Sequence, residues 1–129
     1  MTINDGIVVK KRGNFKEDAG ASGHPIIVIL HDDEYIWGAI CTDAANSDKF
    51  SSTIALNWSY CGLKKATVAI CDKLRQFNVC DVNHIYGSLS NDDLSAIIAE
   101  LDSCNALDDL KEHFSEYNWE VDNNVKKNF

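Results

Sequence analysis

The most apolar stretch of the chain is a run of five aliphatic residues at positions 26–30. An acidic turn at 32–34 separates this run from a second, largely apolar run at 35–42. The two runs predict an antiparallel hairpin whose first strand is buried on both faces. Because the strands are antiparallel, the hairpin brings His24, at the start of the first strand, close to Thr42, at the end of the second. A polar pair beside an apolar core is a candidate functional site.

Further short strands are predicted on both sides of this hairpin. Their segments are 6–10, 53–57, 66–71 and 82–86. Residues 72–77 are expected to continue the strand at 66–71 as extended chain. Polar loops are predicted at 11–23 and 43–52, and loops as long as the first are usually functional or disordered. Five to seven short strands ahead of helices predict a mainly β (α+β) fold, a small bent antiparallel barrel with C-terminal helices.

Two helices are predicted in the last third of the chain, at about 90–118. Ser90 can cap the first helix with its hydroxyl, and Asp93 stands three residues later, where a capping box places its acid. The apolar positions of this helix recur at helical spacing: Leu94, Ile97, Ile98 and Leu101. A second helix is expected to start at the cap residue Asn105, with three apolar residues inward: Leu107, Leu110 and Phe114. Residues 122–129 are expected to be frayed.

Length and composition favour one domain over residues 1–129, with the barrel at about 5–87. A chain of 129 residues with 45% hydrophobic content can bury one core and is short for two. The longest apolar run is far below the roughly 18 to 20 residues of a membrane span. The first residues lack a basic region followed by an apolar one, so no secretory signal is predicted. We therefore expect a cytoplasmic protein with no membrane partner.

Charge is distributed unevenly along the chain. The net charge of −8 argues against a protein that coats nucleic acid through a general electrostatic field. Residues 1–16 nevertheless carry four basic residues and one acid, whereas residues 88–129 carry ten acids and three lysines. The basic segment contains Lys10, Lys11 and Arg12, which could contact a phosphate chain while the acidic end faces solvent.

Cysteine and histidine patterns do not predict a metal site. The number of cysteines, five, is odd, and they show no C-x-x-C spacing. Three of them lie in apolar or strand-like segments. Reduced, buried thiols are therefore expected. The four histidines show no ligand spacing with cysteine or carboxylate, and neither a metal nor another cofactor is predicted.

Several segments follow one another in a recognisable order: Gly6-Ile7-Val8, His24-Pro25-Ile26-Ile27-Val28-Ile29, a strand ending in Cys41-Thr42, residues 62–75 with the sequence GLKKATVAICDKLR, and residues 85–90 with the sequence IYGSLS leading into a helix. In this order they resemble the MazF/PemK family of toxin ribonucleases. Together they cover most of residues 5–102. The resemblance rests on the order and spacing of these segments, and the second predicted helix lies outside the family pattern.

The resemblance implies an SH3-like barrel, usually a homodimer, that cuts single-stranded RNA without a metal and is neutralised by an antitoxin protein. In this chemistry a base takes the proton of a ribose 2′-hydroxyl, whose oxygen attacks the adjacent phosphate. An acid protonates the leaving 5′-oxygen, and cationic or hydroxyl donors stabilise the charged intermediate. The products carry a 2′,3′-cyclic phosphate and a 5′-hydroxyl.

The same resemblance implies a set of site residues. The family's Arg-Pro dipeptide falls on His24-Pro25, its strand-end threonine on Thr42, and its acidic residue on Asp72, which makes His24, Thr42 and Asp72 the catalytic candidates. The candidates for binding RNA are four basic residues: Lys10, Lys11, Arg12 and Arg75. Without the resemblance, Thr42 and Asp72 would be ordinary strand-end and turn residues, and Arg75 could form a surface ion pair.

His24 is a departure from the family pattern. Arginine supplies a permanent, forked positive charge for phosphate, whereas histidine is charged only part of the time near pH 7 but can act as acid or base. His24 therefore implies either a changed proton-transfer scheme or a weakened or lost ribonuclease. Two alternatives stay open at this point: a toxin of the related barrel fold that binds gyrase, and a non-catalytic barrel that serves as a binding or regulatory module.

Overall fold

The computed structural model describes residues 5–11, 24–108 and 110. The strands are β1 (Ile7–Lys11), β2 (Pro25–His31), β3 (Tyr35–Asp43), β4 (Thr53–Ala55), β5 (Thr67–Ile70), β6 (Arg75–Asn78) and β7 (Val82–Ser88). Two short 3₁₀ helices span Ala44–Lys49 and Val79–Asp81, and one α-helix, α1, spans Asn91–Ser103. The fold is therefore mainly antiparallel β with a C-terminal helix, as the sequence predicts.

Strand β3 is the centre of the sheet. The strand order is β4-β5-β3-β2-β1-β7, and β6 also pairs with β3. Every strand pair is antiparallel. Within the described residues no ladder joins the end strands β4 and β7, so closure of the sheet into a barrel stays a prediction.

A bulge of several residues separates β5 from β6 opposite the middle of β3. Cys41 of β3 pairs with Ala69 of β5, and Gly38 of β3 pairs with Arg75 of β6. Between these pairs β3 has two residues, whereas the facing chain has five, at 70–74. The expectation of one continuous extended segment through 72–77 is wrong here, because the surplus residues leave the ladder and bend the chain.

The central hairpin is confirmed, and its register determines where the polar pair lies. Ile26 of β2 is opposite Ile40 of β3, and all five residues of the aliphatic run are buried. Continuing this antiparallel register by two residues carries His24 to the position opposite Thr42. The hairpin thus places the two polar residues at one end of the sheet.

Two hydrophobic clusters explain why the run in β2 contains no polar residue. Ile27 and Ile29 belong to a large cluster that also includes Leu94, Ile97 and Leu101 of α1. The alternate residues Ile26 and Val28 belong to a second cluster on the other face, with Ile7, Val9, Ile36, Ile40, Phe77 and Val82. Because successive side chains of a strand point to opposite faces, both faces of β2 are apolar.

Helix α1 forms as the sequence predicts and is tied to the segment around β4. The Ser90 hydroxyl accepts a hydrogen bond from the Asp93 backbone N–H at 3.2 Å. Asp93 Oδ2 accepts a hydrogen bond from the Asn57 N–H at 2.6 Å, and Glu100 Oε2 accepts one from the Ser52 hydroxyl at 2.6 Å. In the described part of the chain, no helix has the length and apolar character needed to cross a membrane.

The second predicted helix lies mostly outside the described residues. Leu107 and Leu110 are both buried in the larger cluster, as expected for the inward face of that segment. Phe114 and the tail at 122–129 lie outside the described residues.

The five cysteines are free, and they divide by burial. Cys41, Cys61 and Cys71 are buried, Cys104 is half-buried and Cys80 is exposed, so the expectation of buried thiols is wrong for Cys80. Burial raises the pKa of the Cys41 and Cys61 thiols and, with the nearby Glu100 carboxylate contributing less, raises the pKa of Cys71 to about 12.

This division predicts the order in which a thiol reagent labels the native protein. Because the thiolate is the reactive form, Cys80 is expected to react first with a disulfide reagent at pH 8. The three buried thiols are expected to react only after addition of denaturant. Mass spectrometry of peptides labelled before and after unfolding measures this directly, and fast native labelling of Cys71 would contradict it.

Candidate functional site

A cleft of about 490 Å³ lies where the end of the hairpin meets the bulge. We name it the His24 cleft, and its lining residues are His24, Ile40, Thr42, Asn46, Lys49, Phe50, Ile70, Asp72, Lys73 and Arg75. The structure thus brings together four residues that the sequence analysis singled out: His24, Thr42, Asp72 and Arg75. Their positions in sequence span about half the described chain.

Three separate elements position these four residues. The β2–β3 register sets His24 and Thr42 side by side. The bulge carries Asp72, and Arg75 begins β6 opposite Gly38. A backbone hydrogen bond of 3.0 Å from Cys71 N–H to the Ser52 carbonyl ties the bulge to the segment before β4. The cleft therefore depends on pairings between segments that are distant in sequence.

Hydrogen bonds orient two of the candidate side chains. Ser51 Oγ donates to Asp72 Oδ2 at 3.1 Å, and no other described residue bonds that carboxylate. Asn46 Nδ2 donates to Thr42 Oγ1 at 3.4 Å, which leaves the proton of the Thr42 hydroxyl available to a ligand. The half-buried His24 ring forms no hydrogen bond or ion pair with the part of the chain that the structure describes.

Of the predicted basic segment at 10–12, the two described residues, Lys10 and Lys11, do not line this cleft. Lys10 is exposed on β1, opposite Pro25 and His84. Lys11 is only 9% exposed, and its ammonium lies 5.0 Å from the centre of the Phe77 ring, on the second cluster. This geometry fits a cation–π contact, and an RNA-binding role of Lys11 stays a prediction. Arg12 lies outside the described residues.

Four polar or aromatic lining residues were not predicted as site residues: Asn46, Lys49, Phe50 and Lys73. The first two belong to the 3₁₀ helix Ala44–Lys49, in a segment expected to be a loop. One signal for this helix is present in the sequence, because Asp43 is a favourable N-cap and accepts a hydrogen bond from the Ala45 N–H at 3.0 Å. Phe50 follows the helix and is 37% exposed, which leaves an aromatic face open to a ligand.

A second cleft of about 440 Å³ adjoins the first. We name it the Lys64 cleft, and its lining residues are His24, Pro25, Thr42, Asp43, Asn46, Leu63, Lys64, Lys65, Thr67 and Tyr86. The two clefts share His24, Thr42 and Asn46. These three side chains form the wall between them, so a group at the wall can face both clefts.

The two clefts collect positive charge on an acidic protein. Among the described residues, five Lys and Arg side chains line them: Lys49, Lys64, Lys65, Lys73 and Arg75. The carboxylates in the described part of the lining are those of Asp43 and Asp72. The net charge of −8 therefore conceals a local cationic surface that suits an anionic ligand.

Asp43 and Lys65 form an ion pair at the edge of the Lys64 cleft, with Nζ and Oδ2 3.1 Å apart. The pKa of Asp43 lies below its ordinary value of 3.8, chiefly because the Ala45 N–H bonds the carboxylate and secondly because Lys65 bonds it. A carboxyl whose pKa is lowered by folding stabilises the fold above the unfolded pKa. This contribution is lost as the pH falls through the folded pKa.

Removal of the lysine is expected to reverse only the smaller part of this shift. In Lys65→Ala the pKa of Asp43 should rise but stay below 3.8, because the hydrogen bond from Ala45 remains. NMR titration of the Asp43 carboxyl in both proteins measures the two pKa values. A complete return to the ordinary value in the variant would contradict this order of causes.

Among the described residues, no three His, Cys, Asp or Glu side chains are grouped so that they could hold a metal ion. No protein-family model matches the chain, and no curated protein matches it. The likeness to the MazF/PemK family therefore rests on the order of the segments alone.

Proposed function

We propose that the protein is an endoribonuclease toxin of the MazF/PemK type, acting in the cytoplasm on single-stranded RNA and neutralised by an antitoxin. The observation that carries this proposal is the meeting of His24, Thr42, Asp72 and Arg75 in one cleft. This set contains a proton acceptor, a proton donor and two groups that can stabilise a charged phosphate. It is the minimum that cleavage by a ribose 2′-hydroxyl requires.

Asp72 is the general base in this scheme. Ser51 occupies its Oδ2, and Oδ1 is open to the 2′-hydroxyl of the nucleotide that precedes the cut. Proton transfer to Oδ1 accompanies attack of the ribose oxygen on phosphorus. The exposed ring of Phe50, in the same cleft, offers a stacking surface for the base of this nucleotide.

Thr42 and Arg75 stabilise the pentavalent phosphate. The Asn46 amide bonds the Thr42 oxygen, so the Thr42 hydroxyl donates its own proton to a non-bridging phosphate oxygen. The planar guanidinium of Arg75 can form paired hydrogen bonds with phosphate. Lys49 and Lys73 add positive charge in the same lining.

His24 is the general acid that protonates the leaving 5′-oxygen. The imidazole lies at the wall next to Thr42 and has no competing partner among the described residues. A histidine here transfers a proton that an arginine holds tightly, which is a changed proton-transfer scheme and not a loss of function. The phosphate charge is then left to Arg75 and the lysines.

Incubation of the purified protein with a long mixed-sequence RNA in EDTA tests the proposal. Cleavage at short sequences is expected, with 2′,3′-cyclic phosphate and 5′-hydroxyl ends identified by mass spectrometry of the fragments. Cleavage only after addition of a divalent metal would overturn the mechanism. Growth arrest with intact RNA and damaged DNA would favour the gyrase-binding toxin, and harmless expression without cleavage would favour the binding module.

The partners in this proposal are the RNA, a separate antitoxin chain and a second copy of the protein. The homodimer follows from the family resemblance, and sedimentation at micromolar concentration measures it. A monomer that cleaves RNA at full rate would remove the dimer from the proposal without affecting the chemistry.

A further inference from the structure

We infer that Glu100 of helix α1 is a positioning residue of the proposed ribonuclease, and that it fixes Asp72 through the consecutive residues Ser51 and Ser52. This inference rests on the proposed function. It gives a role to a half-buried carboxylate that lines neither cleft and takes no part in the scheme above.

The bulge at 70–74 leaves Asp72 without support from β3. The nearest pairs with β3 on either side of the bulge involve Ala69 and Arg75. A general base must lie within hydrogen-bond reach of the proton that it takes, and an exposed carboxylate on an unpaired segment is not fixed by the ladder. The position of Asp72 therefore depends on contacts from outside β3.

The two consecutive serines supply these contacts. The Ser52 carbonyl accepts a hydrogen bond from the Cys71 N–H at 3.0 Å, and Ser51 Oγ donates one to Asp72 Oδ2 at 3.1 Å. The first bond holds the backbone next to Asp72, and the second orients its carboxylate so that Oδ1 is left for the ribose. Because the serines are adjacent, a displacement of Ser52 moves Ser51 with it.

Helix α1 in turn holds the serines. Ser52 directly precedes β4, which has three residues and pairs only with β5 among the described strands. The buried Ser52 donates its hydroxyl proton to Glu100 Oε2 at 2.6 Å. This length is that of a strong bond from a hydroxyl to a carboxylate, roughly 2.5 to 2.7 Å. Glu100 therefore links the helix to the segment that carries the proposed base.

A second carboxylate of α1 provides a matched comparison. Asp93 Oδ2 accepts a hydrogen bond from the Asn57 N–H, also at 2.6 Å. Asn57 follows β4, whereas Ser52 precedes it. Both carboxylates thus bond the segment around β4 at the same distance, but Glu100 bonds the residue whose carbonyl holds the bulge.

The test compares alanine variants of these two carboxylates in steady-state cleavage of a short RNA that contains a mapped cut site. In Glu100→Ala, kcat is expected to fall about 10- to 100-fold, because a small displacement of a reacting group is costly. KM should stay within about two-fold, since the cations of the cleft are unchanged. Asp93→Ala makes the same change in charge and removes a bond of the same length, and it should keep the wild-type kcat. Thermal unfolding checks that both variants fold.

Two further variants distinguish positioning from a merely structural contact. Glu100→Gln keeps an oxygen that can accept the Ser52 hydroxyl proton, so kcat should recover to within about three-fold of the wild type. Ser51→Ala is expected to lower kcat about 10-fold in the wild-type background. In the Glu100→Ala background the same change should cost less than about two-fold, because Ser51 is already displaced there.

The outcomes separate the inference from the proposed function. Cleavage at the wild-type kcat by Glu100→Ala, an equal loss in Asp93→Ala, or a loss that falls on KM overturns the positioning role alone. A Glu100→Gln variant as slow as Glu100→Ala, or independent losses from Glu100→Ala and Ser51→Ala, also overturns it. Failure of the wild type to cut any RNA overturns the proposed function, and the inference with it.

Discussion

Replacement of His24 by alanine is expected to lower the rate of RNA cleavage by about 10²- to 10⁴-fold, the usual contribution of a general acid. The loss should fall on kcat, because in the proposed scheme His24 protonates the leaving oxygen while Arg75 and the lysines bind phosphate. A leaving group that needs no proton, such as a nitrophenolate in place of the 5′-nucleoside, should restore much of the rate. Single-turnover cleavage of the two substrates measures both effects.

Two further variants make this prediction decisive. His31→Ala removes a histidine at the far end of β2 that lies outside both clefts, and it should leave the rate unchanged. His24→Arg introduces the residue that the family pattern places there, and it is expected to stay slow because guanidinium holds its proton too tightly. A faster His24→Arg enzyme would show that His24 is a weakened phosphate ligand, and the changed proton-transfer scheme would be wrong.

Gly62→Ala is expected to lower the free energy of unfolding by about 2 to 5 kcal/mol, through strain at positive φ together with overpacking. Gly62 has a φ of +85°, which an alanine adopts only with strain. An added Cβ would also collide with the carbonyl oxygen of Tyr86, a backbone atom of β7. Urea denaturation measured by circular dichroism gives the difference in stability.

Ser59→Ala is the control for Gly62→Ala, because it shortens an exposed side chain in the same turn without adding an atom. Its free energy of unfolding should stay within about 0.5 kcal/mol of the wild type. An equally stable Gly62→Ala protein would mean that the turn moves away from β7. In that case, the position assigned to Lys64, two residues later, would no longer hold.

Much of the fold follows from local patterns. The aliphatic run at 26–30 is unbroken because β2 lies between two hydrophobic clusters. Burial of both faces of this strand could therefore be predicted from its sequence alone. Ser90 and Asp93 mark the start of α1, since capping involves residues three positions apart. The bulge at 70–74 could not be predicted, because register between distant strands depends on pairing that no local pattern records.

The site divides in a similar way. The hairpin alone predicts that His24 and Thr42 are neighbours, whereas Asp72 and Arg75 could be assigned only from the family resemblance. Phe50 and the lysines of the two clefts carry no local signal, because each becomes significant only when another segment folds beside it. The cationic surface could not be predicted either, because the net charge of −8 does not show where the positive residues meet in the fold.

The bulge between β5 and β6 has a consequence for how the protein can evolve. Cys71 and Leu74 of the bulge pack in the larger cluster, whereas Asp72 and Lys73 are exposed and stand outside the ladders that pair β3 with β5 and β6. Substitutions at these two exposed positions would change the charge and shape of the cleft while both registers and the hydrophobic clusters stay intact. Under the proposed function, the preferred RNA sequence can therefore change during evolution without a change in how the sheet folds.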